Sequence, residues 1–496
     1  MPEDPTGREA EVLRARRASR ERLGERAFAF TLEQVLGVRE PDPIEGIRAA
    51  AAGLGPDTVS DDRRTVAGRV MLKRDMGKLA FLVLRDRTGD LQLVCNEDTE
   101  PSSLALLEEV DLGDIVGATG RVGTTRRGEL SVFVERLAML SKSLRPMPEK
   151  WHGLKDPDLQ QRQRYLHLAT DPTARSYALG RATVLRTLRA ELDARGFVEV
   201  ETPVLQGVAG GAMAKPFTTH HNVLDVDLKL RISLELYLKR LLVGGLERVY
   251  EVGRNFRNEG IDREHNPEFT MLELYQAYAD YHDIMRLTEE LLVASARAVR
   301  GSLAFEFRGR GLDLTPPWRR VTVLGSVSEL MGEEVTLERS DLGALADRHG
   351  VHVDPAWGTG KIALELFEKL VEETLWEPTF VCDFPREVSP LARPHRSDPA
   401  LTEHFDLVIG GVELATAFSE LTDPDEQRAK FELQAVQRAA GAEETHPFDE
   451  DFLTALEHGM PPAGGIGIGL DRLLMVLTDA PSLRDLILFP HQRPGA

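Results

Sequence analysis

A polar hairpin between residues 248 and 281 constrains this chain more than any other segment. Two stretches of strand-like composition, RVYEVGRNFR and PEFTMLELYQA, are joined by the polar turn NEGIDREHN. Since side chains alternate between the two faces of a strand, one mixed set of residues shares a face. Its members are Glu251, Gly253, Asn255, Arg257, Phe269, Met271, Glu273 and Tyr275. Burying an unpaired charge is costly, so this face predicts a ligand-binding cleft rather than an ordinary core.

Composition sets the broad class of the protein. The chain has 496 residues, of which 29% are charged and 42% hydrophobic, typical of a globular protein with two or more domains. It contains no apolar run of about 18 residues and no apolar signal core near the N-terminus, so we expect no membrane span and a cytoplasmic location. The two cysteines, Cys95 and Cys382, are too few for a disulfide framework or a zinc site.

Charge gives mixed evidence on nucleic-acid binding. The formal net charge of -20 argues against it, yet net charge governs solubility and steering rather than any local surface. Residues 6–27 form a charged helical stretch rich in arginine. These arginines either pair with glutamates of the same helix at i,i+3 and i,i+4 spacing or contact an RNA backbone, and both interpretations remain open.

Short alternating strands with glycine-containing turns occupy residues 61–145. About five strands in a stretch of this length predict a small Greek-key barrel of the OB type. Barrels of this kind hold single-stranded bases on aromatic side chains and read the base edges by hydrogen bonds.

Three stretches, the first of them within the hairpin at 248–281, carry a resemblance to a known family. FRNEG followed by HNPEFTMLELY resembles motif 2 of the class II aminoacyl-tRNA synthetases, in wording similar to the bacterial lysyl-tRNA synthetases of subgroup b. FVEVETPVLQ resembles motif 1, which implies a homodimer, and PPAGGIGIGLDRLLMVLTD resembles motif 3. No GxxxxGK[ST] run is present, so a P-loop nucleotide site is not expected.

The resemblance implies an α+β multidomain protein, with an N-terminal OB-fold barrel and a class II synthetase catalytic domain whose antiparallel sheet is flanked by helices. We divide the chain accordingly into a helical extension (1–60), an anticodon-binding barrel (61–145), a linker (146–178) and the catalytic domain (179–496). In the barrel, the family pattern implies that Phe81 stacks on an anticodon base, and that Gln92 and Glu135 contact base edges.

Motifs 2 and 3 imply the ATP site. Glycines before Arg472 let a nucleotide lie against bare backbone, and the guanidinium adds a planar, permanently charged donor. The implied catalytic residues are Arg257 and Arg472, and the implied ATP-binding residues are Arg257, Glu259, His265, Phe269 and Arg472. The expected cofactor is Mg²⁺ on Asp406 and Glu413, without zinc. Strand parity places Glu413 on the opposite face from Thr416, so a bulge is required between them.

The same resemblance implies a lysine pocket, with Tyr275 as the hydrogen-bond partner of Glu420 at the ε-ammonium and Glu235 and Glu273 at the α-ammonium. Three carboxylates suit a ligand that carries an ammonium at each end. The implied lysine-binding residues are Gly211, Glu235, Glu273, Tyr275, Thr416, Phe418 and Glu420. The chain departs from the family at Thr416, where Asn is common, at Ala415 and Ala417, where Gly is common, and at Leu234, where Pro is common.

These observations predict ATP-dependent activation of L-lysine and its transfer to tRNA(Lys). One alternative is a paralogue that charges a lysine analogue or a non-tRNA acceptor, which the departure at Thr416 keeps open and the barrel disfavours. The other is a non-catalytic RNA-binding paralogue, against which the retention of Arg257 and Arg472 argues.

Overall fold

The structure, a computed structural model, describes residues 7–148, 154–355, 357–439 and 445–492. It divides into two compact units, Met1–Leu154 and Lys155–Ala496. Parts of the predicted helical extension, linker and catalytic domain lie outside the described residues.

The first unit contains the predicted five-stranded closed barrel, with strand order β1-β2-β3-β5-β4. All neighbouring strands are antiparallel except β3 and β5, which pair in parallel. Alternate residues such as Leu82, Leu84 and Leu93 fill the interior and are fully buried. The elements are α1 (Gly7–Leu23), α2 (Leu32–Leu36), α3 (Ile44–Ala50), β1 (Val59–Met76), β2 (Leu79–Arg85), β3 (Asp90–Cys95), α4 (Pro101–Leu107), β4 (Ile115–Thr124) and β5 (Leu130–Ser141).

Helix α1 docks on the barrel through a buried arginine. The Arg16 guanidinium donates to three backbone carbonyls, those of Leu112 (2.9 Å), Ser143 (3.1 Å) and Arg145 (2.8 Å). The neighbouring Arg22 pairs with Glu109 of the barrel unit at 2.7 Å. These two arginines therefore find partners outside the helix rather than among the glutamates of α1.

The second unit is built on an eight-stranded sheet in the order β14-β15-β16-β17-β18-β11-β10-β6. It is antiparallel except at its two ends, where β14 pairs in parallel with β15 and β6 with β10. The predicted α+β class is confirmed. The strands are β6 (Val198–Glu199), β7 (Leu205–Gln206), β8 (Thr218–His221), β9 (Val226–Leu230), β10 (Arg248–Phe256), β11 (Glu268–Ala277), β12 (Ala304–Phe307), β13 (Arg310–Asp313), β14 (Arg319–Thr322), β15 (Thr379–Pro385), β16 (Leu401–Ile409), β17 (Val412–Ser419) and β18 (Ala463–Gly469).

Helices cover the sheet because each of its faces carries apolar residues. Leu272 and Leu274 of β11 belong to the core that packs against α7, α9 and α15. The opposite face carries the site, where α8, α13 and α14 supply a second apolar cluster around Tyr275. The helices are α5 (Pro157–Arg162), α6 (Arg164–Thr170), α7 (Pro172–Ala194), α8 (Glu235–Val243), α9 (Tyr281–Arg300), α10 (Val323–Met331), α11 (Leu342–Arg348), α12 (Thr359–Leu370), α13 (Pro424–Ala439), α14 (Glu450–Glu457), α15 (Leu470–Thr478) and α16 (Leu483–Leu486).

The bulge that strand parity required is present in β17. Leu407 of β16 pairs with Ala415, and the next residue, Val408, pairs with Glu413. Leu414 is therefore the extra residue, and its side chain lies in the main core instead of beside Thr416, where simple alternation had put it.

Candidate active site

The hairpin β10–β11 places its polar residues on one face, as alternation predicted. Glu251 pairs with Glu273, and Asn255 with Phe269, across the two strands. Arg257 follows directly after β10, and its backbone N–H donates to the Pro267 carbonyl at 2.9 Å. Its guanidinium carbon lies 5.1 Å from the centroid of the Phe269 ring, within cation–π range.

This face lines a cavity of about 480 Å³ whose wall holds most of the sequence-predicted residues. The predicted residues that line it are Gly211, Glu235, Arg257, Glu259, His265, Phe269, Glu273, Tyr275, Glu413, Thr416, Phe418 and Arg472. Of the remaining predictions for this site, Asp406 contacts Thr416, and Glu420 lies behind the glycine strand β18.

Arg472 lies in the first turn of α15 and joins motif 3 to the rest of the site. Its guanidinium donates to the Glu413 carbonyl at 2.9 Å and lies 3.2 Å from His265 Nε2. The His265 ring is held from its other side by Asp262, with Nδ1 and Oδ2 2.8 Å apart. Two cationic side chains, Arg257 and Arg472, thus face the same cavity.

Strand β18 lies against the pocket because it lacks side chains there. A Cβ atom on Gly465 would collide with the Glu420 carboxylate and the Tyr275 ring, and one on Gly467 would lie 2.9 Å from Met271 Cε. Gly211, on the opposite wall, has φ +88° and leaves no room for a side chain beside Ser233.

Glu273 is fully enclosed and is held by neutral donors. Its carboxylate accepts hydrogen bonds from Ser233 Oγ (3.1 Å) and the Leu234 backbone N–H (3.0 Å). The Tyr275 hydroxyl makes a long contact of 3.5 Å with Glu273, not the predicted contact with Glu420. Burial raises the pKa of Glu273 to about 7.

Glu420 lies deeper and depends on a cation that the sequence analysis did not single out, Lys239 of α8. The Lys239 ammonium contacts Glu420 Oε2 and lies 2.5 Å from Glu235 Oε1. Within the described residues, neither Glu420 oxygen receives a well-directed hydrogen bond. Burial raises the pKa of Glu420 to about 8, while Lys239 acts in the opposite direction. In the sequence, Glu235 and Lys239 have the i,i+4 spacing of an ordinary surface ion pair. Only the apolar residues around Lys239 indicated that its side chain is buried.

The Thr416 side chain forms a hydrogen bond with Asp406, its cross-strand partner in β16. Its hydroxyl donates to Asp406 Oδ1 at 2.7 Å, and His404 Nε2 lies 3.1 Å from the same oxygen. The alanines on either side, Ala415 and Ala417, point into the main core. Ala415 also lines the cavity, so these two departures from the family pattern affect core packing and, at Ala415, the pocket wall as well.

Acidic groups gather around Glu413 at one end of the cavity. Burial and the nearby Asp406 carboxylate raise the pKa of Glu413. Burial also raises the pKa of Glu368 to about 7 and that of Glu372 to about 8, and both carboxylates feel Asp406 and Glu413. No sequence motif connects residues 283–380, which include α12, to this site, and Glu368 and Glu372 are therefore not among the predicted residues.

The barrel presents its predicted base-binding residues on the outer face. Phe81 and Phe133 lie at equivalent register positions on either side of β3. Gln92 Nε2 donates to Ser131 Oγ at 2.9 Å, whereas Glu135 is paired with Arg63 at 3.0 Å. Phe133, which the sequence analysis did not single out, is half-buried and pairs with the same β3 residue, Val94, as Phe81 does.

Comparison with known proteins agrees with this geometry. A family model described as "tRNA synthetases class II (D, K and N)" matches residues 156–493, and one described as "OB-fold nucleic acid binding domain" matches residues 65–140. The chain therefore belongs to the class II tRNA synthetases. Among the described residues, no helix is both long enough and apolar enough to cross a bilayer.

Within that family, the similar curated proteins are named "Lysine--tRNA ligase". The relative from Moorella thermoacetica is 53% identical over 443 residues, covering 88% of this chain and 90% of the relative. The relative from Thermosynechococcus vestitus is 52% identical and covers 87% of each chain. The relative from Synechococcus sp. strain CC9311 is 51% identical and covers 91% of this chain and 94% of the relative.

Proposed function

We propose that this chain is a lysine–tRNA ligase that activates L-lysine with ATP and transfers it to tRNA(Lys). The observation that carries the proposal is the convergence of three buried carboxylates, Glu235, Glu273 and Glu420, beside a cavity that Arg257 and Arg472 also line. Buried carboxylates require cationic partners, and lysine offers an ammonium at each end.

In the first step, a lysine carboxylate oxygen attacks the α-phosphorus of ATP. An O–P bond forms as the bond to the bridging oxygen breaks, giving lysyl-adenylate and pyrophosphate. This step needs little proton transfer, so positioning and charge stabilisation supply most of the catalysis. Arg257 would bridge the attacking carboxylate and the α-phosphate. In the second step, the terminal ribose hydroxyl of tRNA attacks the carbonyl carbon and AMP leaves.

The nucleotide would lie along the Phe269 ring, with adenine stacked on it. Arg472 would bind the γ-phosphate, and its contact with His265 holds both side chains at the cavity rim. Glu259 and His265 would contact the base and the phosphate tail. Gly465, Gly467 and Gly469 of β18 line the same cavity, and this supports the assignment because a nucleotide can lie against backbone that carries no side chain.

We assign Mg²⁺ to Asp406 and Glu413. Carboxylate oxygens suit this ion, which commonly takes one or two protein carboxylates together with substrate phosphates and water. No group of three or more metal-ligating side chains occurs in the described part of the chain, in keeping with a site that substrate phosphates complete. When bound, the ion would neutralise phosphate charge.

In the pocket, Glu420 would bind the ε-ammonium and Glu235 and Glu273 the α-ammonium, with Phe418 and Tyr275 as walls. The Gly211 backbone would contact the α-ammonium. The Thr416 hydroxyl donates its proton to Asp406, so Thr416 would contact lysine only as a hydrogen-bond acceptor.

The barrel would bind the anticodon of tRNA, with Phe81 stacking on a base, Gln92 offering its amide and Glu135 at the rim. We also propose that the protein is a cytoplasmic homodimer. The exposed apolar side chains Leu179, Val198 and Leu205 around the motif 1 region support the dimer, and light scattering in solution tests it. The fourfold division of the chain at residues 60, 145 and 178 stands as part of this proposal.

ATP–pyrophosphate exchange with lysine and close analogues, followed by charging of tRNA(Lys), tests the function. Exchange with lysine and charging are both expected. Exchange with an analogue but not with lysine would favour the analogue-charging paralogue, and exchange without charging would favour a different acceptor. Absence of exchange with any amino acid would favour the non-catalytic RNA-binding alternative.

A further inference from the structure

Lys239 is a fully buried cation placed between two carboxylates of the lysine pocket. It lies on α8 one turn after Glu235, with its ammonium 2.5 Å from Glu235 Oε1 and in contact with Glu420 Oε2. Its side chain has no exposed surface. A lysine is seldom buried so completely without paired charges, because desolvation disfavours the ammonium.

The charges around Lys239 come from several elements. Glu235 shares its helix, Glu420 follows β17, and Glu273 faces the same pocket from β11. The Tyr275 ring lies 6.0 Å from the ammonium. Two further ionisable groups feel its charge, Lys430 of α13 and the buried His446, and Lys239 contributes to the lowered pKa of each.

Counting formal charges gives a simple balance. The three carboxylates carry -3 and Lys239 carries +1, which leaves -2 in the pocket. Bound lysine adds two ammonium groups, which carry +2, and a carboxylate whose -1 is balanced by Arg257 of the same cavity. The pocket and the ligand therefore neutralise each other only when Lys239 is charged. Without Lys239, one buried carboxylate would have no counter-ion and would take up a proton instead.

We propose that Lys239 is a positioning residue for lysine recognition, which keeps Glu420 ionised and directed towards the ε-ammonium of the bound amino acid. The inference rests on the proposed function and assigns Lys239 no contact with the reacting atoms. Its effect passes through the two carboxylates that its ammonium contacts, Glu420 and Glu235.

The expected consequence concerns lysine affinity and its pH dependence. Only ionised Glu420 binds an ammonium well, and burial raises the pKa of this carboxyl to about 8 even with Lys239 present. The lysine KM of the wild-type enzyme should therefore fall as the pH rises towards that value. Removing the Lys239 charge raises the pKa of Glu420 further, so the fall in KM should move to higher pH.

The test measures lysine-dependent ATP–pyrophosphate exchange between pH 6.5 and 9 for wild type and Lys239→Met. The variant should show a lysine KM raised at least about tenfold at pH 7, the effect of a one-unit pKa shift, with kcat changed less than about threefold. The pH at which KM stops falling should lie at least about one unit higher. Lys239→Gln should behave like Lys239→Met, and Lys239→Arg should stay closer to wild type.

Lys142 provides a matched control in the barrel unit. It is also fully buried between two carboxylates, with its ammonium 2.6 Å from Asp111 Oδ2 and 2.9 Å from Asp114 Oδ2. Lys142→Met should lower thermal stability and leave the pH profile of the lysine KM unchanged.

The possible results separate the two proposals. A wild-type enzyme without lysine-dependent exchange would overturn the proposed function, and this inference with it. A wild-type enzyme that exchanges, together with charge-removing variants whose KM profile is unchanged, would overturn the inference alone. If Lys239→Met does not fold, Lys239→Gln replaces it as the charge-removing variant, with Lys239→Arg as the variant that keeps the charge. A lysine KM profile of Lys239→Gln that matches wild type would then overturn the inference.

Discussion

Glu273 and Glu420 of the proposed amino-acid pocket differ in the groups that stabilise their carboxylates, and this difference supports the roles proposed for them. Glu273 accepts hydrogen bonds from neutral donors, Ser233 and a backbone N–H, which stabilise a carboxylate without supplying charge. Glu420 has a buried ammonium beside it and no well-directed hydrogen bond within the described residues. Its oxygens are thus the acceptors with capacity left for a ligand cation.

Glu420→Gln should weaken lysine binding selectively. The variant keeps the shape of the side chain but loses the charge that would pair with the ε-ammonium. Lysine KM in pyrophosphate exchange should rise roughly 10- to 100-fold, the range expected for loss of one charged hydrogen bond, while the KM for ATP stays within about threefold. Glu432→Gln, on the exposed side of α13, is the control. An unchanged lysine KM would show that the ε-ammonium binds elsewhere.

Thr416→Val tests whether this residue serves the metal ligand or the amino acid. Loss of the hydroxyl removes a hydrogen bond to Asp406 Oδ1. The Mg²⁺ concentration for half-maximal exchange should rise about tenfold, as is typical when a group that orients a metal ligand is lost, with little change in lysine KM. Thr416→Ser should retain wild-type behaviour. A rise in lysine KM alone would instead place the hydroxyl on the substrate carboxylate.

Two strands of the sheet shape the site: β17, which contains a bulge, and β18, which is rich in glycine. The bulge at Leu414 turns Glu413 towards the face that carries Thr416 and Phe418. Strand β18 then covers Glu420 with glycine backbone alone. The pocket depth is therefore set by strand geometry as much as by the side chains in it.

Gly465→Ala should close the pocket at its deep end. The added methyl group would collide with the Glu420 carboxylate and the Tyr275 ring, and β18 is hydrogen-bonded to a strand on each side. Lysine kcat/KM in the exchange assay should fall roughly 10- to 100-fold, in line with the cost of overpacking a core. Gly311→Ala, in β13 where a Cβ meets nothing within 4 Å, should leave activity unchanged. Retained activity in Gly465→Ala would contradict this view of the pocket floor.

Sequence periodicity correctly predicted which residues share a face where the strands are regular, and it failed where a strand is irregular. Two-residue alternation correctly grouped Arg257, Phe269 and Glu273, because β10 and β11 pair without interruption. It misplaced Leu414 because a bulge is a tertiary feature, although the parity of Glu413 signalled one. It gave no sign that Lys239 is buried, because an i,i+4 Glu–Lys pair has the same spacing on a surface helix as in a core.

In the molecule as a whole, the residues proposed for amino-acid activation and those proposed for anticodon binding lie in separate compact units. The residues proposed for chemistry all lie after residue 154, and those proposed for anticodon binding all lie before it. The two activities should therefore respond separately to substitution.

Phe81→Ala should impair charging without affecting activation. Loss of one stacking ring costs about 1–3 kcal/mol of single-strand binding, so kcat/KM for tRNA should fall roughly 5- to 150-fold while pyrophosphate exchange stays at the wild-type rate. Phe30→Ala, whose ring is 92% exposed in the same unit, is the control. An equal loss in both assays would show that the substitution damages folding rather than base stacking.

The buried Arg16 of helix α1 has a consequence for biosynthesis. Its three carbonyl partners lie 96 to 129 residues further along the chain. Because translation proceeds from the N-terminus, the first helix leaves the ribosome long before the carbonyls that accept its guanidinium exist. The helix cannot dock until the last barrel strand and Arg145 have emerged, so the end of barrel synthesis sets the earliest moment at which the first unit can complete its fold.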